Sequence, residues 1–202
     1  MKDYKVRRLF STPVFHFEIE NYKKLNTELE NYILTLKKKY EKGQKKSNYG
    51  GWHSPSFDLV NNSTVKKFVL IIQKFIQKVI IDEIGWKYNS DKVKIAPIWS
   101  IVNKKGSFNI QHNHPNAYLS AVYYVRFPEN SGNIKFFDPK EQKNIRYPKI
   151  KNYTDMSAAI TEITPKEGDL LIFPAYLYHS VGENLSEDDR IIISFNVDIE
   201  NE

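Results

Sequence analysis

From residue 92 onward the chain consists of short apolar segments separated by turn residues, and this pattern limits the possible folds more than any other. The segments are rich in β-branched and aromatic residues, which pack well on a pleated surface. Short strands joined in this way are typical of a β-sandwich or β-barrel. Eight strands are predicted, at 93–102, 107–112, 117–126, 133–137, 161–164, 169–173, 177–181 and 190–198.

The preceding part of the chain predicts elements that support this β region. A strand is expected at 9–18, and Pro13 favours an edge position because proline cannot donate a ladder hydrogen bond. Apolar residues at helical spacing predict an amphipathic helix over 22–40 and a second over 64–84, with Ser63 as the N-cap of the second. The expected fold class is therefore mainly β with supporting helices (α+β).

We expect residues 1–202 to form a single domain, because the length suits one core and no stretch reads as an inter-domain linker. In this domain, 1–91 would supply the strand and the helices, and 92–202 would form the β core. The segment 139–159 has little periodicity, and a long loop in a compact domain is often a lid. Its basic residues hint at an acidic target; they are Lys140, Lys143, Arg146, Lys149 and Lys151.

The composition excludes several kinds of chemistry. The sequence contains no cysteine, which excludes disulfides, thiolate-bound zinc, iron–sulfur clusters and thiol catalysis. A metal would have to be held by His, Asp or Glu, and such ligands suit iron, manganese or zinc.

The 30 lysines and arginines exceed the 24 acidic residues and give a net charge of +6. The lysines are spread along polar faces, so a solvated surface is favoured over nucleic-acid binding, while anionic substrates remain open. The N-terminus lacks the apolar stretch of a signal peptide, and charges interrupt the longest apolar run, 68–84. We therefore expect a cytoplasmic protein with no membrane partner.

Three histidines near strand ends predict a mononuclear metal site. His112 and His114 are two residues apart, so an extended chain turns both rings to the same side. His179 comes from a later strand, and three neutral imidazoles can hold a divalent ion and leave positions open for other ligands. Of the other two histidines, His16 is expected to be an ordinary residue of the first strand. His53 is expected in a surface loop, with a role in lining a pocket as the less favoured alternative.

Arg190 begins the last predicted strand, eleven residues after His179. Its guanidinium could bind an acidic co-substrate in a bidentate manner, and Ser194 lies four residues further on, on the same face of the strand. A surface salt bridge of Arg190 with Asp188 or Asp189 is the alternative.

Five segments combine into a more specific pattern: 112–115, 119–125, 168–174, His179 and 190–196. Together they resemble the Fe(II)- and 2-oxoglutarate-dependent dioxygenases, and in particular a bacterial and phage branch near the prolyl hydroxylases. Residues 9–14 and 50–52 also look like that branch, so the resemblance covers most of the chain.

The resemblance implies a double-stranded β-helix (a jelly roll, cupin-like) that binds Fe(II), 2-oxoglutarate and O2. It implies that an unidentified substrate, a peptidyl side chain or a small molecule, is hydroxylated with release of succinate and CO2. The implied metal ligands are His112, His114 and His179. The implied co-substrate ligands are Arg190, Ser194, Tyr124 and Ser120.

The sequence departs from the usual metal motif of that family, because His114 stands where an aspartate is common. Asp138 is the reserve carboxylate, and the choice between it and His114 stays open at this point. Two other functions are also compatible with the pattern. One is a non-catalytic cupin-like metal-binding module, and the other is a three-histidine dioxygenase that does not use 2-oxoglutarate.

Overall fold

The computed structural model describes residues 4–7, 9–87, 92–140, 148–154 and 156–199. Its helices are α1 (Tyr22–Lys39) and α2 (Ser63–Lys78), and a π-helical segment, Val79–Glu83, continues α2. Its strands are β1 (Phe15–Glu18), β2 (Asn48–Tyr49), β3 (Trp52–His53), β4 (Val93–Asn103), β5 (Phe108–His112), β6 (Leu119–Arg126), β7 (Ile134–Phe137), β8 (Ile160–Ile163), β9 (Asp169–Pro174), β10 (His179–Val181) and β11 (Arg190–Ile199).

The strands form two antiparallel sheets. The major sheet has the order β1-β9-β6-β11-β4-β3, and the minor sheet has the order β2-β5-β10-β7-β8. Consecutive strands such as β5 and β6, or β10 and β11, lie in different sheets, so the chain crosses repeatedly from one sheet to the other. This winding is that of a double-stranded β-helix, and the predicted fold class is confirmed.

The major sheet is buried on both faces, which explains why its central strands are apolar almost without interruption. The helices cover its outer face, where Leu29 and Phe68 belong to the same core as Tyr123 and Phe195. A second, smaller core lies between the two sheets and includes Phe136 of the minor sheet. The site described below occupies the rest of this space between the sheets.

Both predicted helices are present, and the second differs at its ends. The N-cap of α2 is Asn62 rather than the predicted Ser63, because Asn62 Oδ1 accepts the backbone N–H of Val65 at 2.9 Å. The last predicted turn is π-helical, and Gly85 follows with φ +75°. Within the described ranges, no helix has both the length and the apolar character needed to cross a membrane.

All eight strands predicted after residue 92 are present, with ends shifted by one or two residues. The strand predicted at 9–18 is reduced to β1, since Phe10 has a φ of +57° that no strand accommodates. β1 occupies an edge of the major sheet, as Pro13 predicts. β2 and β3 were not predicted, because two-residue strands are too short to show alternation.

Candidate metal centre

The fold brings the three predicted histidines together at one end of the space between the sheets. His112 ends β5 and His179 begins β10, and the register of these antiparallel strands pairs the two residues directly. His114 follows β5, and its backbone N–H donates to the carbonyl of Ala175 at 2.9 Å. The three side chains offer nitrogen atoms that all lie within 4.8 Å of one another, which is a spacing that could hold one metal ion.

Hydrogen bonds to the Nδ1 atoms determine which nitrogen of each ring is available. Nδ1 of His112 lies 2.7 Å from the carbonyl oxygen of Ile110, and Nδ1 of His179 lies 3.0 Å from that of Leu177. Because carbonyl oxygens only accept, both Nδ1 atoms must carry the proton. The lone pair of each ring is therefore on Nε2, in the tautomer that can bind a metal through this atom.

His114 is held by a side chain instead of a carbonyl. Its Nδ1 lies 2.6 Å from Oδ1 of Asn196 in β11, and the hydroxyl of Ser120 donates to the same oxygen at 3.1 Å. The register of β6 and β11 places Ser120 directly opposite Asn196. Ser120 is fully buried and contacts Asn196, so the structure places it behind His114 and not among the residues that line the cavity.

Burial favours the neutral, metal-binding form of all three rings. It lowers the pKa of His179 to about 3, and the neighbouring His112 ring adds to this effect. Burial is also the main cause that lowers the pKa of His112 and of His114, and for His114 the bond to Asn196 opposes it.

Arg190 lies in the same cavity as the histidines and is almost completely buried. Its Nη1 donates to the carbonyl oxygens of Ser131, Gly132 and Gly182, the last two at 2.9 and 3.2 Å. Its Nε and Nη2 have no hydrogen-bond partner among the described residues. These two atoms form one edge of the guanidinium, and that edge is the one that binds a carboxylate in a bidentate manner.

Among the described residues, Arg190 forms no salt bridge with Asp188 or Asp189, and Asp189 pairs instead with Lys37 at 3.4 Å. Burial lowers the pKa of Arg190 to about 10, opposed by the adjacent Tyr124, so the guanidinium stays charged at neutral pH. A buried cation with two unused donors is costly unless an anion accompanies it. The site therefore favours a carboxylate ligand at this end of the cavity.

Gly132 is required by the way Arg190 is held. Its φ is +90°, and a Cβ at this position would lie 2.2 Å from the carbonyl oxygen of Gly182 and 2.7 Å from Nη1 of Arg190. The sequence predicted only a turn here. The close approach of two chain segments to the guanidinium, which depends on β7 and β10 pairing, could not be read from the glycine alone.

The cavity between these groups has a volume of about 660 Å³, within the range of small-molecule sites. Tyr124 and Ser194 line it, and their contacts with the co-substrate stay predictions. His53 also lines it, so the expectation of a surface loop histidine was wrong: His53 is buried in β3, and its ring stacks on Trp99. The short strand β3, which pairs with β4, is what turns this residue inward.

Asp138 is not among the groups that meet at the metal site. It follows β7 and lines a second cavity, and its Oδ1 accepts the backbone N–H of Lys140 at 3.0 Å. The predicted lid, 139–159, is only partly described: 141–147, with Lys143 and Arg146, and residue 155 lie outside the described residues. Of the lid residues that the structure describes, Pro139, Lys140, Met156, Ala158 and Ala159 line the second cavity, and none lines the histidine cavity.

Comparison with known families and structures identifies this arrangement. A family model described as "Putative 2OG-Fe(II) oxygenase" matches residues 97–196, a span that contains all three histidines and Arg190. Over this span the chain belongs to the 2OG-Fe(II) oxygenases. Comparison with curated proteins gives no match.

Several solved structures have a similar fold at low sequence identity. A Pseudomonas putida prolyl-4-hydroxylase has a TM-score of 0.67 at 11% identity, covering 96% of each chain. A Trichoplax adhaerens prolyl hydroxylase in complex with a peptide fragment has a TM-score of 0.66 at 12% identity. The match covers 95% of this chain and 86% of that one. HygX from Streptomyces hygroscopicus, with nickel, 2-oxoglutarate and hygromycin B bound, has a TM-score of 0.61 at 12% identity. The match covers 93% of this chain and 83% of that one.

The cofactors of this 2OG-Fe(II) oxygenase are Fe(II) and 2-oxoglutarate, with O2 as the second co-substrate. The residues present fit both bound groups. Three neutral imidazoles with free Nε2 atoms suit a divalent iron, and the unpaired edge of Arg190 suits a carboxylate.

Proposed function

We propose that this oxygenase is a hydroxylase, which converts a C–H bond of its substrate, 2-oxoglutarate and O2 into the hydroxylated product, succinate and CO2. In this proposal Nε2 atoms of His112, His114 and His179 hold the iron. Iron bound there would supply redox chemistry and open coordination positions for O2, while the electrons that reduce O2 come from 2-oxoglutarate and from the substrate C–H bond.

In the same proposal, the distal carboxylate of 2-oxoglutarate is bound by Nε and Nη2 of Arg190. The hydroxyls of Ser194 and Tyr124 line the same cavity and would add hydrogen bonds to it. Burial raises the pKa of the Tyr124 phenol, so it stays protonated and can donate. Ser120 acts indirectly in this proposal. Its hydroxyl donates to the side-chain amide oxygen of Asn196, and that oxygen orients the ring of His114.

The single observation that carries the proposal is the unpaired, buried edge of Arg190 in the same cavity as the histidine triad. Neither a metal-binding module nor a dioxygenase that does not use 2-oxoglutarate requires a buried guanidinium with two unpaired donor atoms. Such a group lowers stability in the absence of a ligand, and binding the dianionic co-substrate offsets that cost.

The test is formation of succinate from 2-oxoglutarate with Fe(II), comparing the wild type with Arg190→Met and Arg190→Lys. Two charge-assisted hydrogen bonds are lost in Arg190→Met, so we expect the affinity for 2-oxoglutarate to fall by about 100-fold or more. Arg190→Lys keeps the positive charge but not the planar pair of donors, so its affinity for 2-oxoglutarate should lie between those of the wild type and Arg190→Met. Arg126→Met is the control, since Arg126 pairs with Glu30 on α1 and is not among the residues that line the cavity.

Thermal melting separates a local from a global effect, because Arg190 also donates to three carbonyls. A folded Arg190→Met variant with unchanged affinity for 2-oxoglutarate would contradict the assigned role of Arg190. A wild type that binds iron but neither binds nor consumes 2-oxoglutarate would favour the metal-binding module instead.

A further inference from the structure

The charge of the histidine cavity is unusually one-sided. The described residues that line it include no aspartate and no glutamate, whereas Arg190 and Lys46 contribute positive charge. The three imidazoles are neutral ligands and leave both charges of a divalent ion uncancelled, where a triad with a carboxylate would cancel one. Metal, Arg190 and Lys46 together carry four positive charges, and the dianionic co-substrate balances only two of them.

Lys46 lies at the mouth of this cavity on a segment that joins the two sheets. This cross-sheet strap, residues 44–53, contributes β2 to the minor sheet and β3 to the major sheet. The carbonyl of Ser47 accepts the backbone N–H of Ile110 at 3.0 Å, two residues before His112, and the N–H of Gln44 donates to His53. The backbone on each side of Lys46 is therefore anchored beside the site.

The side chain of Lys46 is exposed, and no carboxylate pairs with it in the part of the chain that the structure describes. The electrostatic effect of its charge nevertheless extends to a residue that lines the cavity. The pKa of His53 is lowered mainly by burial, and the positive charge of Lys46 adds to that effect. A lysine that acts on a buried ring of the wall is well placed to act on a bound ligand.

A row of stacked rings connects His53 to the metal site. The ring of His53 stacks on Trp99 with centroids 5.7 Å apart and an interplanar angle of 7°. Trp99 in turn stacks on the metal-site ring of His114, with centroids again 5.7 Å apart. Trp99 is only half-buried and lines the cavity, so the part of its indole that His53 and His114 leave uncovered offers an apolar contact beside the three histidines.

We propose that the substrate of this oxygenase is a small anionic molecule whose carboxylate or phosphate group binds Lys46 and whose body lies against Trp99. This inference rests on the proposed function. It follows from the two positive charges that 2-oxoglutarate leaves unbalanced and from the position of the one lysine on the cross-sheet strap that lines the cavity. Carboxylate and phosphate are the two anion sources that the experiment distinguishes.

The test uses the whole protein loaded with Zn(II) and saturating 2-oxoglutarate, so that binding is measured without turnover. Titration calorimetry compares three probes that share one ring: benzoate, phenyl phosphate and the neutral benzamide. We expect at least one of the anions to bind about tenfold more tightly than benzamide, and the tighter anion identifies the preferred group. Lys46→Gln should remove this preference, whereas Lys45→Gln, which changes a neighbouring exposed lysine outside the cavity lining, should keep it.

A variant at Trp99 separates the two parts of the proposal, because Trp99→Leu should weaken all three probes to a similar degree. Equal affinity for benzamide and both anions, failure of both anions to bind at millimolar concentration, or equal behaviour of Lys46→Gln and Lys45→Gln would overturn the inference. Displacement of ¹³C-labelled 2-oxoglutarate by the anions would also overturn it, since the anions would then occupy the Arg190 end. Failure of 2-oxoglutarate itself to bind would overturn the proposed function together with the inference.

Discussion

Successive residues of β11 point to opposite sides of the major sheet, and the two sides differ in their surroundings. The helix face packs into the main core and consists of Ile191, Ile193, Phe195 and Val197. The cavity face lies between the sheets and consists of Arg190, Ile192, Ser194 and Asn196. Alternation in a strand makes this separation possible within ten residues.

The difference shows where stability and function are located in this fold. On the helix face every side chain is apolar and is satisfied by packing alone, as expected of a face that contributes only stability. On the cavity face, the guanidinium of Arg190 is buried with two of its donor atoms unpaired, which costs stability. Substitutions on the cavity face should therefore change ligand binding, and those on the helix face should change stability.

The largest expected effect is a loss of metal affinity. It concerns His179 of β10, which lies in the minor sheet opposite the cavity face of β11. His179→Ala leaves two imidazoles, so we expect the affinity for Fe(II) or Co(II) to fall by more than the roughly 10–100-fold typical of changes outside the ligand set. Metal titration followed by absorption spectroscopy measures this loss. His16→Ala is the control, because His16 pairs with Asp169 outside the cavity. Full metal occupancy in folded His179→Ala would remove His179 from the proposed ligands.

The helix face should respond in the opposite way. Phe195 is fully buried and packs edge-on against Phe68 of α2, with ring centroids 6.3 Å apart. Phe195→Ala creates a cavity, and we expect it to lower the free energy of unfolding by about 3–5 kcal/mol. Urea unfolding monitored by circular dichroism measures the change. Metal affinity of the folded fraction should stay within experimental error of the wild type, and a large loss there would mean that the two faces are coupled.

Asn196 tests whether a residue of the cavity face acts through a ligand. Its Oδ1 holds Nδ1 of His114, so Asn196→Ala frees that ring, and we expect metal affinity to fall by roughly 10–100-fold. The neighbouring helix-face variant Val197→Ala should lower stability and leave metal affinity unchanged. If both variants had the same effect on metal binding, the orientation of His114 would not depend on Asn196.

The same contrast explains what the sequence could predict. Strand alternation depends on local residues, so the eight strands after residue 92 and the convergence of His112 and His114 were accessible from the sequence. The position of Arg190 in the cavity was predicted from its place on β11. Its three carbonyl partners were not, because they come from turns that reach it only through sheet pairing.

The errors have a common physical origin in contacts between distant segments. His53 was expected at the surface because its loop has no alternation, and only the pairing of β3 with β4 turns it inward. The contact of Ser120 with the co-substrate stays a prediction, and the contact that could not be read from the sequence is the bond of its hydroxyl to Asn196 on the paired strand. Periodicity gives the face on which a side chain lies, and the register between strands determines which neighbour it contacts.

The smallest effect expected on the cavity face is at Ser194, and it is the most sensitive test of the comparison. Ser194→Ala removes one hydroxyl, which lies on the same strand face as Arg190, and a single hydrogen bond contributes about 0.5–1.5 kcal/mol. We therefore expect the affinity for 2-oxoglutarate to fall by about 2–10-fold, measured by calorimetry with Zn(II) in place of iron. Ile193→Val, one residue away on the helix face, should lower stability by about 0.5–1.5 kcal/mol without changing that affinity. Equal affinities in Ser194→Ala and the wild type would restrict co-substrate binding on β11 to Arg190, and the cavity face would then be functional only at its two ends.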